Sequence, residues 1–379
     1  MKCKICNQPA LNNLLVYENM PSVAQNLPDK NCLQSDIGVD LRVCQCGYCG
    51  TIQLDNEPVL YYREVIRATG ISEEMRTFRS RQFSDFVNRF GLHGKKIIEI
   101  GCGSGENLPV MENCGADSYG LEYSEKSVRN ANAAGLKVFQ GFIDCADRKI
   151  CDTVFDGFYT LNYLEHLPNP PETMRGVYNN LSDGAYGIVE VPNMDMFLKN
   201  GLFYDFMLDH LFYFTKNTLS TLLQLSGFDV LCCQDVWHDY IISAVVRKRK
   251  PVDLSHFEKH RETLITQIDN HLAGCAHGTT AVWGAGHQAL FILAMLKNAG
   301  RIKYVVDSAE FKQGRYTPVS HIPIVAPNNI KNDPVVNIIV MAGSYSDEVA
   351  GSIMERFGEE MKISILRDYG LETVKKTKN

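Results

Sequence analysis

The chain has 379 residues, which is too long for one ordinary domain and predicts two or three. Its hydrophobic share of 45% and charged share of 22% are those of a globular protein rather than a membrane-spanning or disordered one. The net charge of −6 gives no electrostatic reason to expect nucleic acid as a partner.

Hydropathy and cysteine usage indicate the compartment. No apolar run in the sequence approaches the length of a membrane span, and the N-terminus lacks a basic stretch followed by an apolar one. The thirteen cysteines are scattered, and Cys102, Cys145 and Cys275 lie in apolar or glycine-rich segments. We therefore expect reduced, mostly buried thiols in a cytoplasmic protein with no membrane partner.

The first fifty residues contain two CxxC pairs, Cys3 with Cys6 and Cys46 with Cys49. Two such knuckles separated by a loop can present four thiolates to Zn²⁺ tetrahedrally, and four protein ligands would make the ion structural. The segment has too little apolar content for a core of its own, so a metal staple is physically reasonable. Cys44 is a possible substitute ligand, and the alternative is a reduced knuckle without metal.

Residues 54–86 mix aromatic, charged and helix-forming side chains, and Ser72 and Glu74 indicate a helix start. One interpretation is a linking helix packed on the next domain. The other is a lid that closes over a ligand of that domain and offers aromatic contacts to it. Arg76 and Arg79 could meet a phosphate or lie in solvent.

The next domain opens with residues 95–109, KKIIEIGCGSGENLP. The β-branched run before the glycines predicts a buried parallel strand, and a helix-compatible segment follows them. Glycines at 101, 103 and 105 let the backbone turn sharply off a strand and lie flat against a ligand, although such turns also occur as plain connections.

Polar residues end the strands that follow. The second strand ends in Glu122, about twenty residues after the glycines, where an α/β nucleotide site places a carboxylate for ribose hydroxyls. The third apolar run ends in Asp144, and the fourth ends in Asn162 and Glu165. A fifth strand, AYGIVEVPN, ends at residues 190–193, which should open onto the same cleft because ligands lie beyond the carboxyl ends of such strands.

This pattern, with an acid two residues before the first glycine, resembles class I S-adenosylmethionine-dependent methyltransferases. The resemblance spans about residues 78–249 and implies a small-molecule acceptor. It also implies a methyl donor that needs no metal, because the donor's sulfonium is already an activated electrophile. The implied donor-binding residues are Glu99, Gly101, Gly103, Gly105, Asn107, Glu122, Tyr123, Ile143, Asp144 and Asn162.

After the fifth strand comes a long aromatic insertion, and two further strands then predict an antiparallel hairpin at the sheet edge. From residue 254 a polar helix precedes a second strand–turn–helix unit, with the turn at Gly284-Ala285-Gly286. Further strands follow, so we expect a second, smaller Rossmann-like domain. A nicotinamide cofactor is the less favoured interpretation there, because Ala289 occupies the third glycine position of the dinucleotide fingerprint.

The order of these parts makes the whole chain resemble the three-domain sugar C-methyltransferases that act on nucleotide-linked deoxyketosugars. The motifs that carry the resemblance are CGTIQL at 49–54, VEVPN in the fifth strand, VWGAGHQA, and the KQG and HIPI segments at 312–314 and 321–324. The family implies an α/β fold with a zinc-binding domain at 1–56, a methyltransferase domain with a substrate insertion at 57–250, and a Rossmann-like domain at 251–379.

The resemblance also implies a catalytic base. In that family a histidine of a glutamate-histidine pair in the insertion is implicated in removing a proton beside a ketone, and Asp209-His210 falls at that place here. Histidine suits this task near neutral pH, and Asp209 could orient it. The family's assisting tyrosine is replaced by Met207, with Tyr204 and Tyr213 as stand-ins.

His166, by contrast, is expected to shape the donor pocket. The leading hypothesis is C-methylation of a nucleotide-linked keto-deoxysugar in deoxysugar or surface-glycan biosynthesis. The alternatives are O- or N-methylation of a sugar or small metabolite, a non-catalytic binding module, and a nicotinamide-dependent sugar enzyme.

Overall fold

The computed structural model describes residues 2–25, 27–64, 71–358 and 360–374. Contacts within the chain divide it into two compact units, Met1–Pro251 and Val252–Asn379. The finer division of the first unit at residue 56 stays a prediction. All thirteen cysteines are free thiols; Cys102 is buried as expected, Cys275 is partly buried and Cys145 is exposed.

The first unit contains two sheets with helices around them. Its strands are β1 (Leu11–Met20), β2 (Val39–Cys46), β3 (Ile52–Leu54), β4 (Lys96–Ile100), β5 (Asp117–Glu122), β6 (Val138–Gln140), β7 (Phe155–Leu161), β8 (Leu181–Pro192), β9 (Phe212–Tyr213), β10 (Phe228–Val236) and β11 (Ile241–Lys248). Its helices are α1 (Glu73–Phe90), α2 (Leu108–Asn113), α3 (Glu125–Ala133), α4 (Pro170–Asn179), α5 (Met194–Asn200) and α6 (Lys216–Leu225).

The N-terminal sheet has four antiparallel strands in the order β1-β2-β3-β9. Its last strand comes from the aromatic insertion, where Tyr213 pairs with Ile52. The insertion therefore belongs structurally to the N-terminal sheet as well as to the methyltransferase-like core.

The core sheet has seven strands in the order β10-β11-β8-β7-β4-β5-β6. Strands β4 to β8 are parallel, and β11 runs antiparallel to both of its neighbours, which is the predicted edge hairpin. Strand order reverses between β4 and β7, so the carboxyl ends of these two strands form the switch point at which open α/β sheets bind ligands.

Helix α1 packs on this core. Ser72 caps it by accepting a hydrogen bond from the Met75 N–H, and Gly91 ends it in the left-handed conformation with φ of 64°. Its residues Phe83, Phe86 and Val87 are buried against the core sheet. Residues 73–90 thus form a helix packed on the core, as the linking-helix interpretation expects. The lid interpretation stays a prediction, and residues 65–70 of the same segment lie outside the described residues.

The second unit has a Rossmann-like α/β fold of its own. Its strands are β12 (Thr280–Trp283), β13 (Ile302–Val306), β14 (Ile324–Val325), β15 (Asn337–Val340), β16 (Lys362–Arg367) and β17 (Gly370–Thr373), and its helices are α7 (Ser255–Ala273), α8 (His287–Met295), α9 (Asn329–Asn332) and α10 (Ser346–Phe357). The sheet order is β14-β13-β12-β15-β16-β17, parallel except for β17. The predicted α/β fold class is confirmed in both units. Within the described ranges, every helix is too short or too polar to cross a membrane.

Candidate functional site

The four predicted zinc ligands lie together near the start of the chain. The Cys3 and Cys49 sulfurs are 3.6 Å apart, and the Cys6 and Cys46 sulfurs are 3.5 Å apart. All four sulfurs lie within 4.8 Å of one another. Thiolates about 2.3 Å from a tetrahedral zinc ion are about 3.8 Å apart, so this donor set fits Zn²⁺. Cys44, the possible substitute, is not part of the cluster.

The glycine-rich turn lies at the switch point, directly after β4. Gly101, Gly103 and Gly105 have φ values of 74°, 56° and 79°, which side-chain-bearing residues rarely adopt. A Cβ on Gly101 would lie 2.7 Å from the ring of Tyr163, so that ring packs directly on the turn. A Cβ on Gly103 would meet no atom of the described residues within 4 Å, so among these residues this part of the turn borders open space where a ligand can approach the backbone.

Two acids hold the turn in place. Glu122 accepts hydrogen bonds from the Gly103 N–H at 2.9 Å and from the Ser124 N–H at 2.8 Å, one on each carboxylate oxygen. Its burial raises its pKa, although these N–H groups oppose the shift. The buried Glu99 accepts a hydrogen bond from the Asn107 side chain at 2.9 Å. Glu99 and Asn107 therefore support the turn, and Glu122 links it to the end of β5.

A cleft of about 580 Å³ lies beside the ends of β5 and β6. Tyr123, Ile143 and Asp144 line it, so the structure brings these three predicted donor-binding residues together. Asp144 also pairs with Arg148 at 3.1 Å. Asn162 is exposed at the end of β7 in the left-handed conformation, with φ of 50°.

Arg63 is a residue of this cleft that the sequence did not single out. Its guanidinium lies 5.4, 5.6 and 5.1 Å from the ring centroids of Tyr62, Tyr123 and Phe142, within the range of cation–π contacts. No local pattern marks Arg63, because two of its three aromatic partners, Tyr123 and Phe142, are distant in the sequence. Arg63 and Glu64 both line the cleft.

The end of the fifth strand does not open onto the cleft as expected. Glu190 is fully buried and forms an ion pair with the equally buried Arg79 of α1 at 2.5 Å. The Gln82 side chain donates a second hydrogen bond to the same carboxylate. Helix α1 covers this part of the strand, so Arg79 meets a carboxylate of the core instead of a phosphate or solvent.

The insertion places His210 against the segment that follows β7. The centroids of the His166 and His210 rings are 4.6 Å apart, and the rings meet edge to face. His166 Nδ1 lies 2.8 Å from the backbone oxygen of Asp209, and its Nε2 lies 3.9 Å from a Glu165 carboxylate oxygen. One ligand atom each of Glu165, His166 and His210 lies within 4.8 Å of the other two. His166 therefore contacts the predicted base.

Burial sets the charge state of this cluster. It lowers the pKa of His210 to about 3, and the neighbouring His166 adds to the decrease. It raises the pKa of Glu165 to about 8. His210 is therefore uncharged at neutral pH, and an uncharged imidazole is the form that can accept a proton.

The other predicted catalytic side chains have different surroundings. The Asp209 carboxylate accepts hydrogen bonds from the Tyr61 hydroxyl and from the Ala24 N–H. The Tyr213 hydroxyl bonds to the backbone N–H and oxygen of Met207 at 2.9 and 3.2 Å. Tyr204 is 66% exposed, and its ring packs on Phe203. Of the four, His210 is the one whose side chain belongs to the cluster with Glu165 and His166.

Comparison with known proteins supplies the family. A model described as a methyltransferase domain matches residues 75–233, and one described as a C-methyltransferase C-terminal domain matches residues 253–362. The C-methyltransferase NovU of Streptomyces niveus is 25% identical over 388 residues, which cover 92% of this chain and 91% of NovU.

Other matches cover less of the chain. Phosphoethanolamine N-methyltransferase 3 of Arabidopsis thaliana is 27% identical over 144 residues, 36% of this chain and 29% of that protein. The crystal structure of the PH0226 protein from Pyrococcus horikoshii OT3 covers 51% of this chain and all of its own, with 16% identity and a TM-score of 0.40. The chain is therefore an S-adenosylmethionine-dependent methyltransferase, in which a match to a methyltransferase domain is followed by a match to a C-methyltransferase C-terminal domain.

Proposed function

We propose that this enzyme methylates a carbon atom beside the ketone of a nucleotide-linked keto-deoxysugar. One observation carries the proposal: the segment from Tyr163 to His166 spans from the donor turn to the predicted base. The Tyr163 ring packs on Gly101 at one end, and His166 contacts His210 at the other. Similarity to a C-methyltransferase along almost the whole chain supports the same conclusion.

The donor would occupy the switch point and the adjoining cleft. Glu122 would accept hydrogen bonds from both ribose hydroxyls, and the bare backbone at Gly103 would let the donor approach closely. Tyr123 and Ile143 would flank the adenine, with Asp144 at its edge. Bound S-adenosylmethionine supplies a methyl group already activated by its sulfonium.

His210 would act as the base. A C–H bond beside a carbonyl is acidic enough for abstraction when the enolate is stabilised, and an uncharged, positioned imidazole can take the proton. The enolate carbon then attacks the methyl group in line. The protein's contribution is to hold base, acceptor and donor in one geometry, which removes much of the entropic cost of the reaction.

We also propose that Cys3, Cys6, Cys46 and Cys49 bind one zinc ion. The four sulfurs fill all positions of a tetrahedral site, so the ion would hold the N-terminal segment together and would not take part in the reaction. The partial match to an N-methyltransferase favours a second candidate, methylation of an oxygen or nitrogen atom. An uncharged His210 would serve equally well to take a proton from a hydroxyl.

The test uses the zinc-loaded protein. It is titrated by calorimetry with S-adenosylhomocysteine, and then with thymidine diphosphate in its presence. Turnover with S-adenosylmethionine and a thymidine diphosphate-linked 4-keto-6-deoxyhexose follows, with the product examined by NMR. Binding of both ligands and a new carbon-bound methyl group are expected. A methyl group on oxygen or nitrogen would favour the second candidate.

The His210→Asn variant separates the base from the rest of the site. We expect its turnover number to fall about 10²-fold or more with unchanged affinity for S-adenosylhomocysteine. His238→Asn is the matched control, because His238 is exposed and pairs with Glu74 on the surface. Turnover of His210→Asn equal to wild type would remove His210 from this role.

A further inference from the structure

We infer that Glu165, and not Asp209, is the carboxylate that positions His210 and balances the charge it acquires. The inference rests on the proposed function, because it concerns the same base. Glu165 would act through His210, so it is a positioning residue rather than a catalytic one.

The hydrogen-bond partners of Asp209 argue against it as the carboxylate that positions His210. Its Oδ1 accepts hydrogen bonds from the Tyr61 hydroxyl at 2.9 Å and the Ala24 N–H at 3.2 Å, and its Oδ2 lies 3.0 Å from the same hydroxyl. The carboxylate next to His210 in sequence is thus committed to the segment that precedes the core.

Glu165 has the opposite surroundings. It is 1% exposed, and its Oε2 is buried with no hydrogen-bond partner among the described residues. A buried polar group without a partner destabilises the folded protein, so its retention calls for an explanation. One of its oxygens and a ring nitrogen of His210 lie within 4.8 Å of each other.

The neighbouring groups leave His210 as the free partner. His166 also lies beside Glu165, with its Nε2 3.9 Å from a carboxylate oxygen. Its Nδ1, however, donates to the backbone oxygen of Asp209 at 2.8 Å, so the uncharged ring has no hydrogen on Nε2 to donate to Glu165. His210 is only partly buried, so its ring has room to adjust. Hydrogen bonds between catalytic side chains are often longer than a normal hydrogen bond in the absence of substrate, and they shorten when the substrate binds.

The chemistry balances with this arrangement. The substrate C–H bond breaks, its proton goes to one ring nitrogen of His210, and its electron pair remains on the substrate as an enolate. The ionised Glu165 accepts a hydrogen bond from the other ring N–H and offsets the imidazolium charge without taking the proton itself. After the enolate carbon has bonded to the donor methyl group, the donor leaves as the neutral thioether, and His210 releases one proton to solvent.

The arrangement requires Glu165 to be ionised, and burial opposes this. Its pKa is raised to about 8, so the ionised fraction grows as pH rises through that value. His166 and His210 lie beside Glu165, and its charge also reaches the Tyr240 hydroxyl. Burial, followed by the carboxylates of Asp205 and Glu165, raises the pKa of Tyr240. Turnover should therefore rise with pH across neutrality.

The experiment measures proton abstraction separately from methyl transfer. Wild-type enzyme, Glu165→Gln, Glu165→Asp and the surface control Glu112→Gln are incubated with S-adenosylhomocysteine and the thymidine diphosphate-linked 4-keto-6-deoxyhexose in D₂O. NMR follows loss of the proton beside the ketone. Turnover number, KM and their pH dependence are then measured with S-adenosylmethionine.

We expect Glu165→Gln to lower exchange and turnover number by about 10²-fold, with KM within twofold and the rise with pH abolished. Glu165→Asp, which keeps the charge on a shorter side chain, should recover part of the rate, and Glu112→Gln should match wild type. Exchange by Glu165→Gln within threefold of wild type would overturn the inference and leave the proposed function intact.

Two further outcomes would also overturn it. The donor atoms of Glu165, His166 and His210 also suit a divalent cation. If metal analysis found a second metal ion per chain in the wild type, beside the proposed zinc, and none in Glu165→Gln, Glu165 would be a metal ligand. Absence of exchange and of methylation in the wild-type enzyme would overturn the proposed function and this inference with it.

Discussion

The Tyr61 hydroxyl donates a hydrogen bond to the Asp209 carboxylate, 2.9 Å from one oxygen and 3.0 Å from the other. The two residues are 148 positions apart in the chain. Their contact fastens the segment before the core to the insertion that carries His210. It also determines which carboxylate near His210 is free, because Asp209 is occupied.

Removing this hydroxyl should weaken the fold. Asp209 is 2% exposed, so Tyr61→Phe leaves a buried carboxylate with one fewer donor. We expect the free energy of unfolding to fall by about 1–3 kcal/mol. Chemical denaturation measures this, with Tyr48→Phe as a control on an exposed tyrosine. Equal midpoints for the two variants would contradict the importance of the contact.

The buried pair of Arg79 and Glu190 makes a stronger prediction. Arg79→Met leaves the fully buried Glu190 without its cation, and breaking such a pair costs about 3–5 kcal/mol. Arg76→Met, on the exposed side of the same helix, should stay within about 0.5 kcal/mol of wild type. Thermal and denaturant unfolding of both variants compare them directly. A double variant, Arg79→Met with Glu190→Gln, should recover part of the loss.

Local sequence features sufficed for the parts of the site that depend on local geometry. The glycines at 101, 103 and 105 were identifiable because positive φ angles after a buried strand favour glycine. The two CxxC pairs were identifiable for a similar reason, since each forms a tight turn that brings its own two sulfurs close. Strand order placed Glu122 next to the turn.

The remaining features depend on contacts between distant segments. Glu190 stands at the end of a strand, where the sequence predicts an open cleft, but α1 folds over it and buries it with Arg79. Asp209 precedes the predicted base, but Tyr61 and Ala24 occupy its oxygens. No local sequence pattern indicates that Glu165 is buried with an unpartnered carboxylate oxygen, because its burial comes from the packing of the insertion. Periodicity and spacing carry no information on such contacts.

The zinc proposal predicts a specific loss. Cys46→Ser removes one of four thiolates, so we expect zinc content to fall from about one equivalent per chain to well below one. The thermal midpoint should fall with it, because metal binding contributes folding free energy in small metal-stapled segments. Cys32→Ser is the control, since Cys32 is exposed and outside the cluster. Metal analysis and calorimetry would count against the site if both variants kept full zinc.

Glu122 gives a prediction for donor binding and its pH dependence. Hydrogen bonds to a charged group contribute about 1.5–3 kcal/mol, so Glu122→Gln should weaken S-adenosylhomocysteine binding by about 10- to 100-fold. Burial raises the pKa of Glu122, so the folded protein protonates this carboxyl at a higher pH than a free glutamate would be protonated. Protonation removes an acceptor for the ribose hydroxyls. Wild-type affinity should therefore fall as the solution is acidified through this raised pKa.

The two effects can be separated by titrating at acidic and at neutral pH. The Glu122→Gln variant has no carboxyl at this position, so its weakened affinity should change little between the two conditions. Glu112→Gln, which replaces an exposed acid on α2, should bind as the wild type does at both. If Glu122→Gln kept wild-type affinity at neutral pH, Glu122 would not hold the ribose. If its affinity fell with acid as steeply as that of wild type, the pH dependence would belong to another group, with Asp144 in the same cleft as the next to test.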